Sequence, residues 1–151
     1  MSMRLAALVR LFFNHHADCV GDFDRVVAVR STRRAAPASL LQTLPEFRDF
    51  DLDALRATEE GFVADSRLAG NRVLLIDDTF TRGTSMFTAA AAIKRAGSEV
   101  FGRVAIGRRV NPSFENSKPM CERLSSVPFD MSRCCRCDGV VTEPPLRDSM
   151  F

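Results

Sequence analysis

Two adjacent carboxylates, Asp77 and Asp78, stand directly before a stretch of hydroxyl residues and one glycine, Thr79-Phe80-Thr81-Arg82-Gly83-Thr84-Ser85. Glycine lets backbone come close to a ligand, and Thr81, Thr84 and Ser85 add hydroxyl donors. If a helix begins here, its unpaired N–H groups and partial positive charge suit a phosphate. The two acids would repel that phosphate unless the ligand also carries hydroxyls or a divalent metal. A ribose 5-phosphate meets both demands, with vicinal hydroxyls for Asp77 and Asp78 and a phosphate for the loop. No Gly-Lys-Ser/Thr follows a four-residue spacer from a glycine, which excludes a Walker loop. Substituting Gly83 by Val is expected to abolish phosphate binding while the protein stays folded.

These residues need a frame. Val73–Ile76 is a continuous apolar run, the pattern of a strand buried on both faces, and Asp77–Ser85 reads as the loop after it. Met86 to Arg95 is Ala-rich and helical, Gly97 stops it, and Val100–Ile106 reads as the next strand. Strand, helix and strand with short connections make the βαβ unit of a parallel sheet. Upstream, Met1 to Phe13 reads as an amphipathic helix with Leu5, Leu8, Val9 and Phe12 on one face, and Asp18 to Asp24 as a loop. Val26–Val29 is a second buried-strand run, followed at once by Arg30-Ser31-Thr32-Arg33-Arg34. Leu40, Leu41, Leu44 and Phe47 suggest a brief helix interrupted by Pro45; Asp51 is placed to cap another through about Arg56, and Phe62–Ala64 is a small strand. From Asn111 onward, five prolines predict an irregular tail.

The run Val73-Leu74-Leu75-Ile76-Asp77-Asp78-Thr79-Phe80-Thr81-Arg82-Gly83-Thr84-Ser85 resembles the phosphoribosylpyrophosphate motif of type I phosphoribosyltransferases: four apolar residues, two acids and a Thr/Gly-rich loop. Val26 to Arg34 is similar to the pyrophosphate-binding loop of that family, and the closest flavour is the competence protein F group and its bacterial relatives. The resemblance spans about Asp24 to Arg109. Arg82 departs from it, standing where small hydroxyl residues are common, and the cysteine-rich N-terminal ribbon of the competence proteins is missing.

The resemblance implies an α/β fold, a parallel sheet flanked by helices, with a reduced hood and an irregular C-terminal tail. It implies a phosphoribosyltransferase-like domain over 1–115, with 116–151 as a Cys/Pro-containing tail. It further implies binding of 5-phosphoribosyl-1-pyrophosphate with Mg²⁺, and displacement of pyrophosphate by a nitrogen nucleophile through an oxocarbenium-like transition state. Asp77 and Asp78 would orient the ribose hydroxyls, Thr79–Ser85 would anchor the 5-phosphate, and Ser31, Thr32, Arg33 and Arg34 would grip pyrophosphate. The stretch Leu44 to Ala69, with Arg48, Arg56 and Arg67, should hold the mobile loop that closes over the substrate. Two other classes stay open: a non-catalytic nucleotide-binding regulator, and an accessory protein of DNA uptake.

Composition bounds the rest. The 151 residues fit one domain, 46% hydrophobic and 26% charged, and the net charge of +2 gives no reason to invoke nucleic acid or membrane. The apolar start is too short and interrupted to span a bilayer and lacks a small-residue cleavage site. Five cysteines, an odd number, argue against a secreted disulfide framework, so the cytoplasm is the expected compartment. Cys121, Cys134, Cys135 and Cys137 are the set that could hold zinc, although a second CxxC pair is absent and free thiols are the commoner outcome. His15 and His16 are expected at the end of the first helix. The partners expected are a small phosphoribosyl or nucleotide ligand and a second copy of the chain in a homodimer.

Overall fold

The computed structural model describes residues 3–29, 54–114, 117–128 and 130. Ser31, Thr32, Arg33 and Arg34, the helix expected near Leu40–Phe47, and Cys134, Cys135 and Cys137 lie outside them. In chain order the elements are α1 (Met3–Val20), β1 (Arg25–Ala28), β2 (Leu55–Thr58), β3 (Gly61–Ala64), a 3-10 turn (Ser66–Leu68), β4 (Arg72–Phe80), α2 (Thr84–Arg95), β5 (Glu99–Arg108) and α3 (Lys118–Ser126).

The apolar runs at Val26–Val29 and Val73–Ile76 become β1 and the first half of β4, paired in parallel, and β5 lies parallel on the other side of β4. Strand alternation divides each run between two cores. Val27, Val29, Val73 and Leu75 face α2, where Met86, Ala89, Ala92 and Ile93 meet them. Val26, Ala28, Leu74 and Ile76 form the opposite core with Val9, Phe12 and Phe13 of α1. The parallel sheet is therefore flanked by helices, as the sequence predicts. β2 and β3 form a separate antiparallel hairpin whose Leu55, Phe62 and Ala64 close the α2-side core.

Four local expectations are corrected. β4 does not end at Ile76: it runs to Phe80, because Asp77, Thr79 and Phe80 pair with Ala105, Gly107 and Arg108 of β5, and the true loop is only Thr81–Gly83. Leu55–Thr58 is a strand and not the end of a helix capped by Asp51, since Leu55 is fully buried and its neighbours pair with β3. α1 continues to Val20 past a kink at His16, where φ is −130°, so Asp18–Val20 is helical rather than loop. The tail contains α3, because Pro119 falls in the first turn of that helix, where its missing N–H costs no hydrogen bond. No helix among the described residues is long and apolar enough to cross a membrane.

Candidate active site

The site gathers at the carboxyl end of the parallel sheet, where open α/β sheets bind their ligands. Gly83 takes φ 80°, ψ −4° and caps α2. A Cβ at that position would sit 2.7 Å from Phe80 Cε2 and Cζ and 2.7 Å from Phe87 Cε2, so both rings would have to shift in addition to the strain of the left-handed backbone angle. Gly83→Val would therefore disturb the fold too, against the expectation that the protein stays undisturbed. The Gly83 carbonyl accepts the first intrahelical bond, from Phe87 N–H at 2.9 Å. The N–H groups of Thr84, Ser85 and Met86 consequently have no partner inside the helix and are available to an anion.

A cavity of about 470 Å³ opens beside this helix start, walled by Asp77, Asp78 and Thr79 of β4, by Thr84, Ser85 and Thr88 of α2, and by the β2–β3 hairpin. Asp77 and Asp78 follow each other on a strand, yet both reach this one cavity. Asp77 is 7% exposed, and burial pushes its carboxyl from 3.8 up to about 6. Backbone N–H groups of Thr79 and Asp78 oppose that rise, and the Asp78 charge adds to it. Asp78 is half-buried.

The residues expected in the phosphate loop divide. Thr79, Thr84 and Ser85 line the cavity with the two acids, whereas Thr81 and Arg82 line a second cavity toward the end of β5. Phe80 turns to the core and meets Phe87 edge-on at 6.5 Å, holding up the turn from below. Cys121 is half-buried on α3. His16 is buried, its ring 5.1 Å from that of Phe12, and belongs to the α1 core rather than to the site.

Sequence reading missed the hairpin wall and Thr88. Thr88 follows Thr84 by one helical turn and donates its hydroxyl to the Thr84 carbonyl at 2.8 Å, so helical spacing alone would have found it. The hairpin was hidden within Leu44 to Ala69, the stretch expected to hold a mobile loop: 54–69 form a tight hairpin and a 3-10 turn, and 44–53, with Arg48, lie outside the described residues. Its turn residues Glu59 and Glu60 line the cavity, while Arg56 is exposed on β2 and Arg67 pairs with Asp65 at 3.1 Å.

All donors lining the cavity are oxygens, the set that suits a hard cation such as Mg²⁺. No three carboxylates, histidines or cysteines among the described residues stand close enough to hold a metal by themselves. An ion there fits only when the bound ligand contributes oxygens, the common arrangement for Mg²⁺ with phosphates.

No family model matches the chain. It is similar to the orotate phosphoribosyltransferase of Mycobacterium avium (strain 104), 28% identical over 103 residues, which covers 65% of this chain and 58% of that protein. The chain thus spans a little over half the length of this curated relative. Among solved structures it is similar to the Mycobacterium tuberculosis H37Rv orotate phosphoribosyltransferase in complex with inorganic phosphate, with TM-score 0.50 and 25% identity over 78% of this chain and 66% of that one. A phosphoribosyltransferase from Corynebacterium diphtheriae matches with TM-score 0.44 and 20% identity over 82% of this chain and 75% of that one. Both mycobacterial relatives carry the orotate name and neither is a competence protein. In fold and in sequence, the chain is similar to orotate phosphoribosyltransferases.

Proposed function

We propose that the chain binds 5-phosphoribosyl-1-pyrophosphate in the cavity between β4, α2 and the hairpin, and transfers its phosphoribosyl group to a nitrogen nucleophile. The observation that carries this reading is the meeting of two carboxylates and a helix N-terminus in one cavity of about 470 Å³, a size suited to a small ligand. The free N–H groups of Thr84, Ser85 and Met86, with the hydroxyls of Thr84 and Ser85, take the 5-phosphate. Asp77 and Asp78 accept hydrogen bonds from the ribose hydroxyls and hold the ring so that its anomeric carbon faces the nucleophile. At neutral pH Asp77 is mostly ionised, since its carboxyl is raised only to about 6. Asp77 and Asp78, together with oxygens of the ligand, would hold Mg²⁺, which would supply charge neutralisation for the pyrophosphate leaving group. Anchoring the phosphate supplies binding energy remote from the reacting carbon, which orients the ribose.

Isothermal titration with phosphoribosylpyrophosphate and Mg²⁺, followed by a pyrophosphate-release assay over bases and amines, tests both halves. Binding with turnover is the expected result; no binding at millimolar ligand sinks the reading. A binding-only role is favoured by one observation: the hairpin over the site is a tight turn bearing Glu59 and Glu60, with no long loop between β2 and β3. Tight binding without pyrophosphate release from any acceptor would select that alternative.

A further inference from the structure

The net charge of +2 conceals an uneven surface. Val104 and Ile106 of β5 pack into the α1-side core, so alternation puts Arg103 and Ala105 on the opposite face, and both are exposed. On that face a groove of about 330 Å³ is lined by Phe80, Met86 and Phe87 together with Arg103, Ala105 and Arg108. Phe87 is 54% exposed, and Arg103 Cζ lies 5.2 Å from the centre of its ring. Arg108 Cζ lies 5.9 Å from the centre of the Phe80 ring. Arg108 also borders the cavity of about 520 Å³ past the end of β5, whose lining includes the exposed Arg82, Arg109 and Phe114. No acidic side chain lines either cavity, and none of these four arginines forms a side-chain ion pair among the described residues.

The two adjoining cavities therefore join four like charges to two exposed aromatic rings. A partner that satisfies both must carry repeated negative charge and flat apolar faces. Single-stranded nucleic acid has both, phosphates for guanidinium groups and unstacked bases for aromatic rings. In a duplex the bases are stacked on one another and do not reach a side-chain ring. An acidic protein segment answers the charges without supplying the flat faces. From Arg103 to Arg109 the chain advances about 20 Å at roughly 3.3 Å per residue, room for several nucleotides.

We propose that this surface binds single-stranded nucleic acid, with Arg82, Arg103, Arg108 and Arg109 on phosphates and Phe87 and Phe114 stacked on bases. The proposal does not depend on the phosphoribosyl reading, which concerns the acidic cavity.

Fluorescence anisotropy of a labelled oligothymidylate of about fifteen nucleotides with the full chain tests it, beside a duplex of equal length and polyglutamate of equal charge. Attraction to charge alone would favour the duplex, whose charge density is higher. The single strand should instead bind at least about fivefold more tightly than either. Its log K should fall against log salt with a slope of about −2 to −3, and Arg103→Ala with Arg108→Ala should make that slope shallower by about 1.4. Phe87→Ala should weaken the single strand about fivefold to a hundredfold and leave the slope in place. Melting curves check that the variants fold, and Phe114→Ala, at a ring 58% exposed, repeats the stacking test at a second position. A duplex or polyglutamate bound as tightly as the single strand overturns the proposal. So does single-strand affinity that survives both the arginine and the phenylalanine changes.

Discussion

One short turn, Thr81–Gly83, separates two cavities of similar size and opposite charge. The cavity of about 470 Å³ has four carboxylates in its lining, Glu59, Glu60, Asp77 and Asp78, and no basic side chain; the one of about 520 Å³ has three arginines and no acid. The acidic side can hold an anion only where backbone N–H groups point at it, so its specificity must come from hydroxyls or an accompanying cation. The basic side, with no acid in its lining, makes no such demand. The opposite charge of the two cavities is therefore set by which residues leave β4 and β5.

The sharpest way to break that contrast is in the turn that stands between the two cavities. Replacing Gly83 by Val forces a left-handed backbone angle on a branched residue and drives its Cβ into the Phe80 and Phe87 rings. A loss of about 3 kcal/mol in folding stability is expected, read by denaturant titration, with ligands weakened on both sides of the turn. A variant as stable as the parent would mean that the turn is not held as described.

Asp77→Asn and Asp78→Asn should separate the cavities instead. Each removes a charged acceptor worth roughly 1.5–3 kcal/mol to a hydroxyl donor, so phosphoribosylpyrophosphate should bind about tenfold to a hundredfold more weakly. Inorganic phosphate should bind as before or better, because negative charge has been removed beside it. Normal phosphoribosylpyrophosphate affinity in both variants would end the ribose assignment.

Asp77 also predicts a pH signature. Its carboxyl is raised from 3.8 to about 6, so between those values the folded protein keeps a proton that the unfolded chain has released. This group's contribution is fully present below about pH 4 and is lost as pH rises through 6. Asp77→Asn should remove that slope and make the protein more stable at pH 7 by about 1–2 kcal/mol, allowing for the solvent that reaches the cavity. Melting curves of both proteins from pH 4 to 8 measure the difference, and parallel curves would contradict the burial assigned to Asp77.

The smallest effect belongs to the exposed hairpin turn. Converting Glu59 and Glu60 together to Gln should tighten metal-free ribose 5-phosphate by about twofold to threefold at low salt, and the gain should vanish near 0.5 M salt. An unchanged affinity would show that the turn lies too far from the ligand to shape its field.

Much of this was legible along the chain, for a physical reason: it depended on near neighbours. Val26–Val29 and Val73–Ile76 read as strands buried on both faces because every residue in them is apolar, and the two cores on either side of the sheet follow from alternation. Gly83 and the hydroxyls after it announced a helix start next to two acids, and the fold places those acids and that start around one cavity. What stayed hidden depended on contacts between distant segments. The end of β4 was misplaced because Asp77–Phe80 are extended by pairing with β5, some 28 residues later. Neither the hairpin that brings Glu59 and Glu60 to the site nor the closeness of Arg82 to Arg108 and Arg109 has a local signature, since charged residues look alike in sequence whether they face solvent or a shared cavity. The residue types alone determined which ligand groups this sheet end could recognise, and only tertiary structure sorted the charges onto opposite sides of one turn, because that sorting is a property of strand order and register.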